Sequence, residues 1–349
     1  MNILLISPKM DNPNGGIAVW TDMYLGVAED FGLDCSLVNT AAIGARAKNG
    51  SAGRNFFDEF IRTNKIFSEL NRCLKATKFD AVHLNTSCGT FGIIRDFLIA
   101  KRIKKVQPDA KIVVHYHCDI PVQIRNKISK YYLGKLLKLA DENLVLCTNS
   151  KNYLEKEFST PSLIVPNPIG EGMIRENEKE TCEELARAFF VGRVEVAKGV
   201  REIYSLATRH SDITFELAGA VSDDVAKWEK PDNVILLGPM PHDDVIKKMD
   251  EADVFIFPSH SEGFSIALLE SMARGLPAIA TDVGSNKDML DGGCGFIVDK
   301  GDVDAMSEAI STLASREARA KCSTASISKV KEQYTKAVVM TMYRESYKK

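Results

Sequence analysis

Two glutamates flank a short loop whose residue types suit phosphate binding. Glu262 is followed at once by Gly263, and Glu270 comes eight positions after Glu262. Glycine lets a backbone approach a ligand closely, and the amides of residues 264–266 open a helix-forming stretch, where phosphate groups commonly bind. At about 1.5 Å per residue, Glu270 lies roughly 7.5 Å further along that helix. Two carboxylates around a phosphate site suit a ligand with hydroxyl groups on both sides of a diphosphate, such as a nucleotide sugar.

Two further loops have related chemistry. Residues 192–199 follow an apolar run and contain Arg193 and Lys198 between glycines. A guanidinium can hold phosphate through two hydrogen bonds, and an ammonium supplies a compact charge. Residues 8–16 follow the first apolar run and end in Gly15-Gly16, ahead of a helical pattern. This loop lacks the G-x-G-x-x-G spacing, which counts against a dinucleotide site.

The elements around these loops determine where the loops lie. Residues 254–257 form an apolar run typical of a buried parallel strand, and Pro258 ends it. Residues 265–274 have helix-forming composition, and Gly275 with Pro277 supplies a stop signal. The same order of strand, polar loop and helix recurs along the chain, which predicts an α/β fold. In an open α/β sheet, loops at the carboxyl ends of the strands bind ligands.

The predicted strand over residues 111–116 leads into a second candidate site. His115 and His117 share one face of this strand because side chains alternate, and Asp119 follows them. Ser87, in the polar loop after the strand predicted over 81–84, is a further candidate for the same edge. A His-x-His pair is able to bind a metal, but no cluster of carboxylates or cysteines completes a metal site.

The signature around the two glutamates resembles that of retaining glycosyltransferases of family 4. The similarity extends from Glu262 through Ala273-Arg274-Gly275-Leu276-Pro277 to Thr281-Asp282-Val283-Gly284. In the first half of the chain it rests on Gly15-Gly16, His117 and the strand order. The resemblance implies the GT-B fold, in which two Rossmann-like domains face a cleft and a C-terminal helix crosses back to the first domain.

The resemblance also implies roles for individual residues. Arg193 and Lys198 would bind the donor diphosphate, Glu262 would orient the transferred sugar, and Glu270 would bind the ribose. A histidine near the donor sugar is expected at the end of the strand over 111–116; His117 is the first choice and His115 the second. The remaining predicted donor-binding residues are Gly15, Gly16, Gly219, Met240, Gly263, Phe264, Ser265 and Ile266. His115, Asp119 and Ser87 are predicted on the acceptor side.

The domain boundary is predicted at the rigid turn Pro166-Asn167-Pro168. Residues 1–168 would form the acceptor-binding domain and residues 169–330 the nucleotide-sugar-binding domain. Residues 331–349 would pack back on the first domain, as the end of one helix predicted over 328–347.

Composition sets further bounds. The chain has 349 residues, enough for two domains with ample cores. None of its eight cysteines forms a Cys-x-x-Cys pair, which favours reduced thiols in the cytoplasm. The N-terminus has no pattern of a signal peptide, and no apolar run is long enough to span a bilayer. Residues 1–170 carry 22 Lys and Arg against 16 Asp and Glu, which leaves 23 against 31 for the rest.

The basic first half has two interpretations. It suits an anionic membrane surface or a phosphate-bearing acceptor, and a basic amphipathic helix predicted over 123–139 suits the membrane interface. Unequal solvated faces and an ordinary core-packed helix explain the same pattern equally well. The protein is therefore expected in the cytoplasm, with contact to the inner face of the membrane left open.

The function predicted from these features is transfer of a sugar from a nucleotide-sugar, with UDP as first choice of carrier, to a glycan or lipid-linked acceptor in cell-surface polysaccharide synthesis. The transferase would be a hexosyltransferase or an N-acetylhexosaminyltransferase with retention of configuration. No Asp-x-Asp motif occurs in the candidate loops, so no metal is expected, and no nucleic-acid partner is expected. The alternatives are a non-catalytic nucleotide-sugar-binding subunit, an epimerase of the same fold, or an inverting transferase with His117 as base.

Overall fold

The computed structural model describes residues 1–10, 16–43, 56–177, 179 and 182–348, without the side chain of Phe56. The chain divides into two compact units, one formed by Met1–Pro166 with Val339–Lys349 and the other by Asn167–Val338. Each unit contains a parallel six-stranded sheet with helices. The predicted α/β class with two Rossmann-like domains is therefore confirmed.

The first unit has the strand order β2-β1-β3-β4-β5-β6, and all neighbours pair in parallel. Since parallel neighbours must be joined by crossovers, helices cover both faces of this sheet. The strands are β1 (Asn2–Ser7), β2 (Asp34–Asn39), β3 (Ala81–Thr86), β4 (Lys111–Tyr116), β5 (Glu142–Val145) and β6 (Leu163–Ile164).

Alternation along β1 separates the two cores of this unit. Leu4 and Ile6 face a core shared with the helices that connect β2 to β5. Ile3 and Leu5 face a core that includes Trp20 and the last helix of the chain. The helices are α1 (Gly16–Val27), α2 (Phe56–Ala76), α3 (Thr90–Val106), α4 (Ile120–Gln123), α5 (Lys127–Leu137) and α6 (Thr148–Phe158).

The second unit has the strand order β12-β11-β10-β7-β8-β9, again parallel throughout. The strands over residues 254–257 and 278–281 are buried along their whole length, as expected for a sheet covered on both faces. The strands are β7 (Arg187–Val191), β8 (Thr214–Ala218), β9 (Val234–Gly238), β10 (Val254–Phe257), β11 (Ala278–Thr281) and β12 (Gly295–Val298).

The helices of the second unit follow its strands in the order expected for crossovers, and the last helix of the chain completes the first unit. Within the latter helix, Val339, Met340, Tyr343 and Tyr347 belong to the core that contains Trp20. The helices are α7 (Val200–Arg209), α8 (His242–Glu251), α9 (Ile266–Ala273), α10 (Asn286–Leu290), α11 (Val303–Leu313), α12 (Arg316–Gln333) and α13 (Lys336–Tyr347).

Two predicted helices are interrupted in the structure. The helix predicted over 328–347 is wrong as a single element: α12 ends at Gln333, where the carbonyl of Tyr334 accepts a hydrogen bond from the amide of Ile169 at 2.7 Å. Thr335 then starts α13 by accepting from the amide of Val338 through its hydroxyl. The helix predicted over 123–139 begins only at Lys127, because the side chain of Asn126 caps it.

Candidate active site

The loops after β7 and β10 bring Lys198 and Glu262 together. These strands are parallel neighbours, with Val254 opposite Ala188, so both loops leave the same edge of the sheet. The ammonium Nζ of Lys198 lies 2.5 Å from Oε1 of Glu262, although the residues are 64 positions apart. Both side chains are mostly buried, at 22% and 13% exposure. The pair places one cation and one carboxylate side by side at the ligand-binding edge.

Arg193 lies in the same loop as Lys198 but has a different environment. Its side chain is 71% exposed, and its guanidinium pairs with Glu195 at 2.9 Å. Such an exposed pair is weak in water, so the guanidinium is available to an anion that arrives at the loop.

Close backbone contacts fix this part of the sheet edge. Gly199 has φ +80°, and a Cβ atom there would lie 2.2 Å from the carbonyl oxygen of Pro258. Gly219, at the end of β8, has φ +139°, and a Cβ atom there would lie 1.8 Å from the carbonyl oxygen of Gly192. Only glycine allows both conformations without displacing a neighbouring backbone. Met240 follows β9, the next strand along the sheet, and is half-buried against the core.

The start of α9 presents backbone amides with no internal partner. Within the part of the chain that the structure describes, the amides of Phe264, Ser265 and Ile266 donate no hydrogen bond, and Ser265 does not cap the helix with its side chain. The hydroxyl of Ser265 instead donates to Oδ1 of Asn286 at 2.6 Å. Asn286 in turn donates to the carbonyl of Thr281 at 3.0 Å. The amides are therefore held in place and left for an anion, as the dipole of a helix N-terminus favours.

Glu270 lies further along α9 and is bonded to His242 at the start of α8. Nε2 of His242 is 2.8 Å from Oε1 of Glu270, and the carboxylate is 14% exposed against 57% for the imidazole. Burial raises the pKa of Glu270, and the contact with His242 opposes that rise. Among the described residues this carboxylate has His242 as its side-chain partner, and its second oxygen is able to accept from a ligand hydroxyl.

A chain of hydrogen bonds crosses the carboxyl edge of the first sheet. Nε2 of His117 contacts Oδ1 of Asn85 at 2.9 Å, and Nδ2 of Asn85 donates to the hydroxyl of Ser7 at 2.8 Å. Ser7 bonds the hydroxyl of Thr21 at 2.6 Å, and Thr21 donates to the carbonyl of Ile17. With its amide group donating to Ser7, Asn85 accepts from His117, which fixes the orientation of the imidazole.

His115 and His83 lie behind His117 in an aromatic cluster. The ring centroids of His115 and His117 are 3.9 Å apart, and Trp20 contacts all three histidines. Burial lowers the pKa of His83 to about 3 and the pKa of His115 well below its ordinary value. Burial lowers the pKa of His117 well below its ordinary value as well, although part of this residue is exposed. His115 is therefore a neutral core residue.

The other predicted first-unit residues have separate surroundings. Ser87 lines a cavity together with Asn85. Asp119 is buried and accepts two hydrogen bonds from Asn149, at 2.9 and 3.0 Å, beside the start of α6, so its visible contacts support that turn. Gly16 begins α1, whereas Gly15 lies outside the described residues.

The described residues contain neither a metal-ligand cluster nor a membrane-spanning helix. No three His, Cys, Asp or Glu side chains among them are grouped so as to hold a metal ion. No helix in the described ranges is long and apolar enough to cross a membrane.

Sequence reasoning missed several residues that position these groups. Asn286 supports Ser265 from a helix 21 positions away, and Asn85 and Trp20 contact His117 from other elements. Each has an unremarkable local context, so no motif marks it. The one sequence signal for Asn85 was the group of polar residues at the end of β3, because the carboxyl ends of parallel strands lie at the same edge of a sheet.

The similarities to known proteins agree with this geometry. Residues 174–329 match the model of the family described as glycosyl transferases group 1. The chain is 26% identical over 276 residues to an uncharacterized 41.2 kDa protein in the cps region of Klebsiella pneumoniae, covering 71% of this chain and 75% of that one. It is 30% identical over 141 residues to the capsular polysaccharide biosynthesis glycosyltransferase CapM of Staphylococcus aureus, covering 37% and 36% of the two chains.

Among solved structures, Alr3699/HepE of Anabaena in complex with UDP aligns over 99% of both chains, with a TM-score of 0.73 at 12% identity. A match at that identity shows the shared fold, here over the full length of the chain. The chain therefore has the GT-B fold, and the match over residues 174–329 identifies it as a glycosyltransferase.

Proposed function

We propose that the protein is a retaining glycosyltransferase that moves a sugar from a UDP-sugar to a glycan or lipid-linked acceptor in cell-surface polysaccharide synthesis. The observation that carries the donor assignment is the Lys198–Glu262 pair, 2.5 Å apart at the carboxyl edge of the second sheet. This pair brings together a cation suited to phosphate and a carboxylate suited to sugar hydroxyls.

The proposed division of labour follows from charge. Cleavage of the anomeric bond develops negative charge on the leaving diphosphate, and fixed donors stabilise that charge best. Lys198, Arg193 and the amides of residues 264–266 supply such donors. The acceptor-only carboxylate of Glu262 then orients the transferred sugar through its hydroxyls, and Glu270 binds the ribose. These cations and amides suffice for the diphosphate charge, so we propose transfer without an obligatory metal.

Retention of configuration is proposed from the family signature. The acceptor oxygen bonds to the anomeric carbon on the face from which the diphosphate oxygen departs, and the leaving diphosphate takes the proton of the acceptor hydroxyl. No protein nucleophile is needed. His117 is the proposed catalytic histidine, with Nε2 directed to Asn85 and Nδ1 as its other polar atom.

The donor and pathway rest on similarity. HepE binds UDP in a solved structure of the same fold, which supports UDP as the carrier, and the name of CapM supports capsule or related polysaccharide synthesis. The transferred group is a hexose or an N-acetylhexosamine. The first unit is the proposed acceptor side, and its basic surface is proposed to meet the inner face of the membrane.

The first test is release of nucleoside diphosphate from a panel of UDP-, GDP- and ADP-sugars, with and without EDTA. We expect slow release from one UDP-sugar, indifferent to EDTA and lost in Glu262→Ala. Glu251→Ala is the matched control, because Glu251 is an exposed glutamate on α8 whose contacts are surface ion pairs with Lys248 and Arg187.

The outcomes separate the parts of the proposal. Release that is unchanged in Glu262→Ala, or absent together with any donor binding, would overturn the donor site. Loss of release in EDTA would overturn metal independence. With an active acceptor, proton NMR of the first product anomer distinguishes retention from inversion.

A further inference from the structure

A cavity of about 530 Å³ opens in the first unit between α2, α3 and the ends of three strands. This volume is within the range of roughly 300–1,000 Å³ that is usual for small-molecule sites. The residues that line it at the sheet edge include Asn85 and Ser87. Since Asn85 also bonds His117 at 2.9 Å, the cavity begins at the proposed reaction centre.

The opposite part of the cavity is apolar and open to water. Phe60 of α2 lines it with 60% of its surface exposed, and Phe91 and Leu98 of α3 line it with 63% and 43% exposed. Exposed aromatic side chains so close together are uncommon on a surface that remains in water, and they commonly mark a binding site. Among the described residues of this unit, the large exposed apolar side chains concentrate on α2, α3 and α5: Phe57, Phe60, Ile61, Phe91, Leu98, Ile128 and Tyr131.

Cationic side chains lie between the polar and apolar parts. Phe91, Arg95 and Leu98 follow one another at spacings of four and three, so they share one face of α3. Arg95 donates through Nε and Nη2 to Asp96 at 2.9 and 2.7 Å, and its Nη1 has no partner among the residues that the structure describes. Arg62 of α2 lines the same cavity and pairs with Glu59. The Nη1 of Arg95, unpaired among the described residues, suits an anionic group of the occupant.

We infer that this cavity binds a lipid-linked acceptor, with its hydrocarbon chain against Phe60, Phe91 and Leu98, its phosphate at Arg95, and its sugar toward Asn85 and His117. The inference rests on the proposed function and selects one of its two acceptor classes. A free glycan would stack one sugar ring on one aromatic side chain at most, and its hydroxyls would lose water against the remaining apolar surface without partners. A hydrocarbon chain removes that apolar surface from water.

The test is calorimetric titration of the full chain with dodecyl phosphate below its micelle concentration, with inorganic phosphate and dodecyl maltoside as separate titrations. We expect dodecyl phosphate to bind most tightly. Phe91→Gln and Leu98→Gln should each weaken it about tenfold or more, since a buried apolar side chain contributes on this scale. Arg95→Gln should weaken dodecyl phosphate while leaving dodecyl maltoside within twofold.

Ile235→Gln is the matched control, because Ile235 is 44% exposed and lies on β9 of the second unit. Phe91, Leu98 and Ile235 are exposed, whereas Arg95 is only 15% exposed. Equal melting temperatures would show that all four variants fold. Equal affinity of wild type, Phe91→Gln and Ile235→Gln for dodecyl phosphate, or no binding to wild type, would overturn the inference. So would a wild-type dimer that dissociates in Phe91→Gln, because a second copy of the chain would then cover the surface.

Failure of the inference is distinguishable from failure of the proposed function. Release of nucleoside diphosphate to water needs no lipid, so Phe91→Gln and Leu98→Gln should keep the wild-type rate in that assay. A chain that turns over a donor but does not bind dodecyl phosphate retains the proposed function and loses this inference. A chain that binds dodecyl phosphate but no donor would contradict the proposed function and leave the lipid-binding cavity in place.

Discussion

Replacing Gly199 by alanine tests whether backbone packing holds Lys198 beside Glu262. Gly199 directly follows Lys198, has φ +80°, and approaches the carbonyl oxygen of Pro258 so closely that a Cβ atom would lie 2.2 Å away. Gly292 offers a matched control, because it also has φ +80° and a Cβ atom there would meet nothing within 4 Å. The two substitutions therefore share the cost of the left-handed conformation and differ in the clash.

The magnitude follows from these two terms. A left-handed alanine costs about 1–2 kcal/mol at either position. At Gly199 the contact is with backbone and the ring of Pro258, so the loop must shift, and overpacking of this kind adds about 1–3 kcal/mol. We expect Gly199→Ala to lower the free energy of unfolding by about 2–5 kcal/mol and Gly292→Ala by about 1–2 kcal/mol.

Urea unfolding and donor turnover measure the two consequences. A shift of about 1 Å in a positioning residue is able to reduce turnover on the order of 100-fold, so Gly199→Ala should lose most of its donor release while Gly292→Ala keeps it. Equal stability and equal turnover of the two variants would refute the argument that the contact with Pro258 positions Lys198. Equal stability with lost turnover would show that the loop moves without strain.

Three other perturbations have defined outcomes. Lys198→Met should reduce donor turnover by about 100-fold or more, as for the loss of one fixed donor to a developing anion; turnover within tenfold would contradict the assigned role. Asn286→Ala leaves the buried hydroxyl of Ser265 without its partner and should lower the free energy of unfolding by about 1–3 kcal/mol in urea, whereas a change below about 0.5 kcal/mol would be typical of an exposed site. The free energy of unfolding should fall as the pH drops, because His83 and His115 stay neutral when folded and take up protons near pH 6.5 when unfolded. Two such groups lower it by about 3 kcal/mol between pH 7.5 and 5.5. Equal urea midpoints at those two pH values would contradict this expectation.

The sign of the pH effect follows from the direction of the pKa shifts. A histidine with a lowered folded pKa binds its proton more readily in the unfolded chain, so the loss begins near the unfolded pKa of about 6.5. For His83 it continues down to the folded value of about 3. Burial also lowers the pKa of His117, so it contributes in the same direction.

The donor loops could be predicted because their information is local. The strand predicted over 254–257 is β10 with the same bounds. The pattern of glycine, proline and glutamate that follows it lies within twenty residues of sequence. The contact between Lys198 and Glu262 was not predictable in the same way, since it depends on β10 pairing with β7 rather than with a strand nearer in sequence. Local propensity likewise predicts one helix that runs through Tyr334 and Thr335. In the structure a hydrogen bond from the amide of Ile169 to the carbonyl of Tyr334 interrupts it.

The surroundings of His117, on the proposed acceptor side, could not be predicted because they come from both ends of the chain. His83 lies in the middle of a strand and bonds the hydroxyl of Tyr347, 264 residues away, at 2.5 Å. Trp20, which contacts His117, donates its indole N–H to Tyr343 of the same last helix at 2.9 Å. The orientation of His117 therefore depends on packing of α13 against the first sheet. A local sequence motif does not predict that packing. Backbone amides in short loops, as in the proposed donor site, can be recognised in sequence, whereas the long-range aromatic contacts around His117 are seen only in the folded chain.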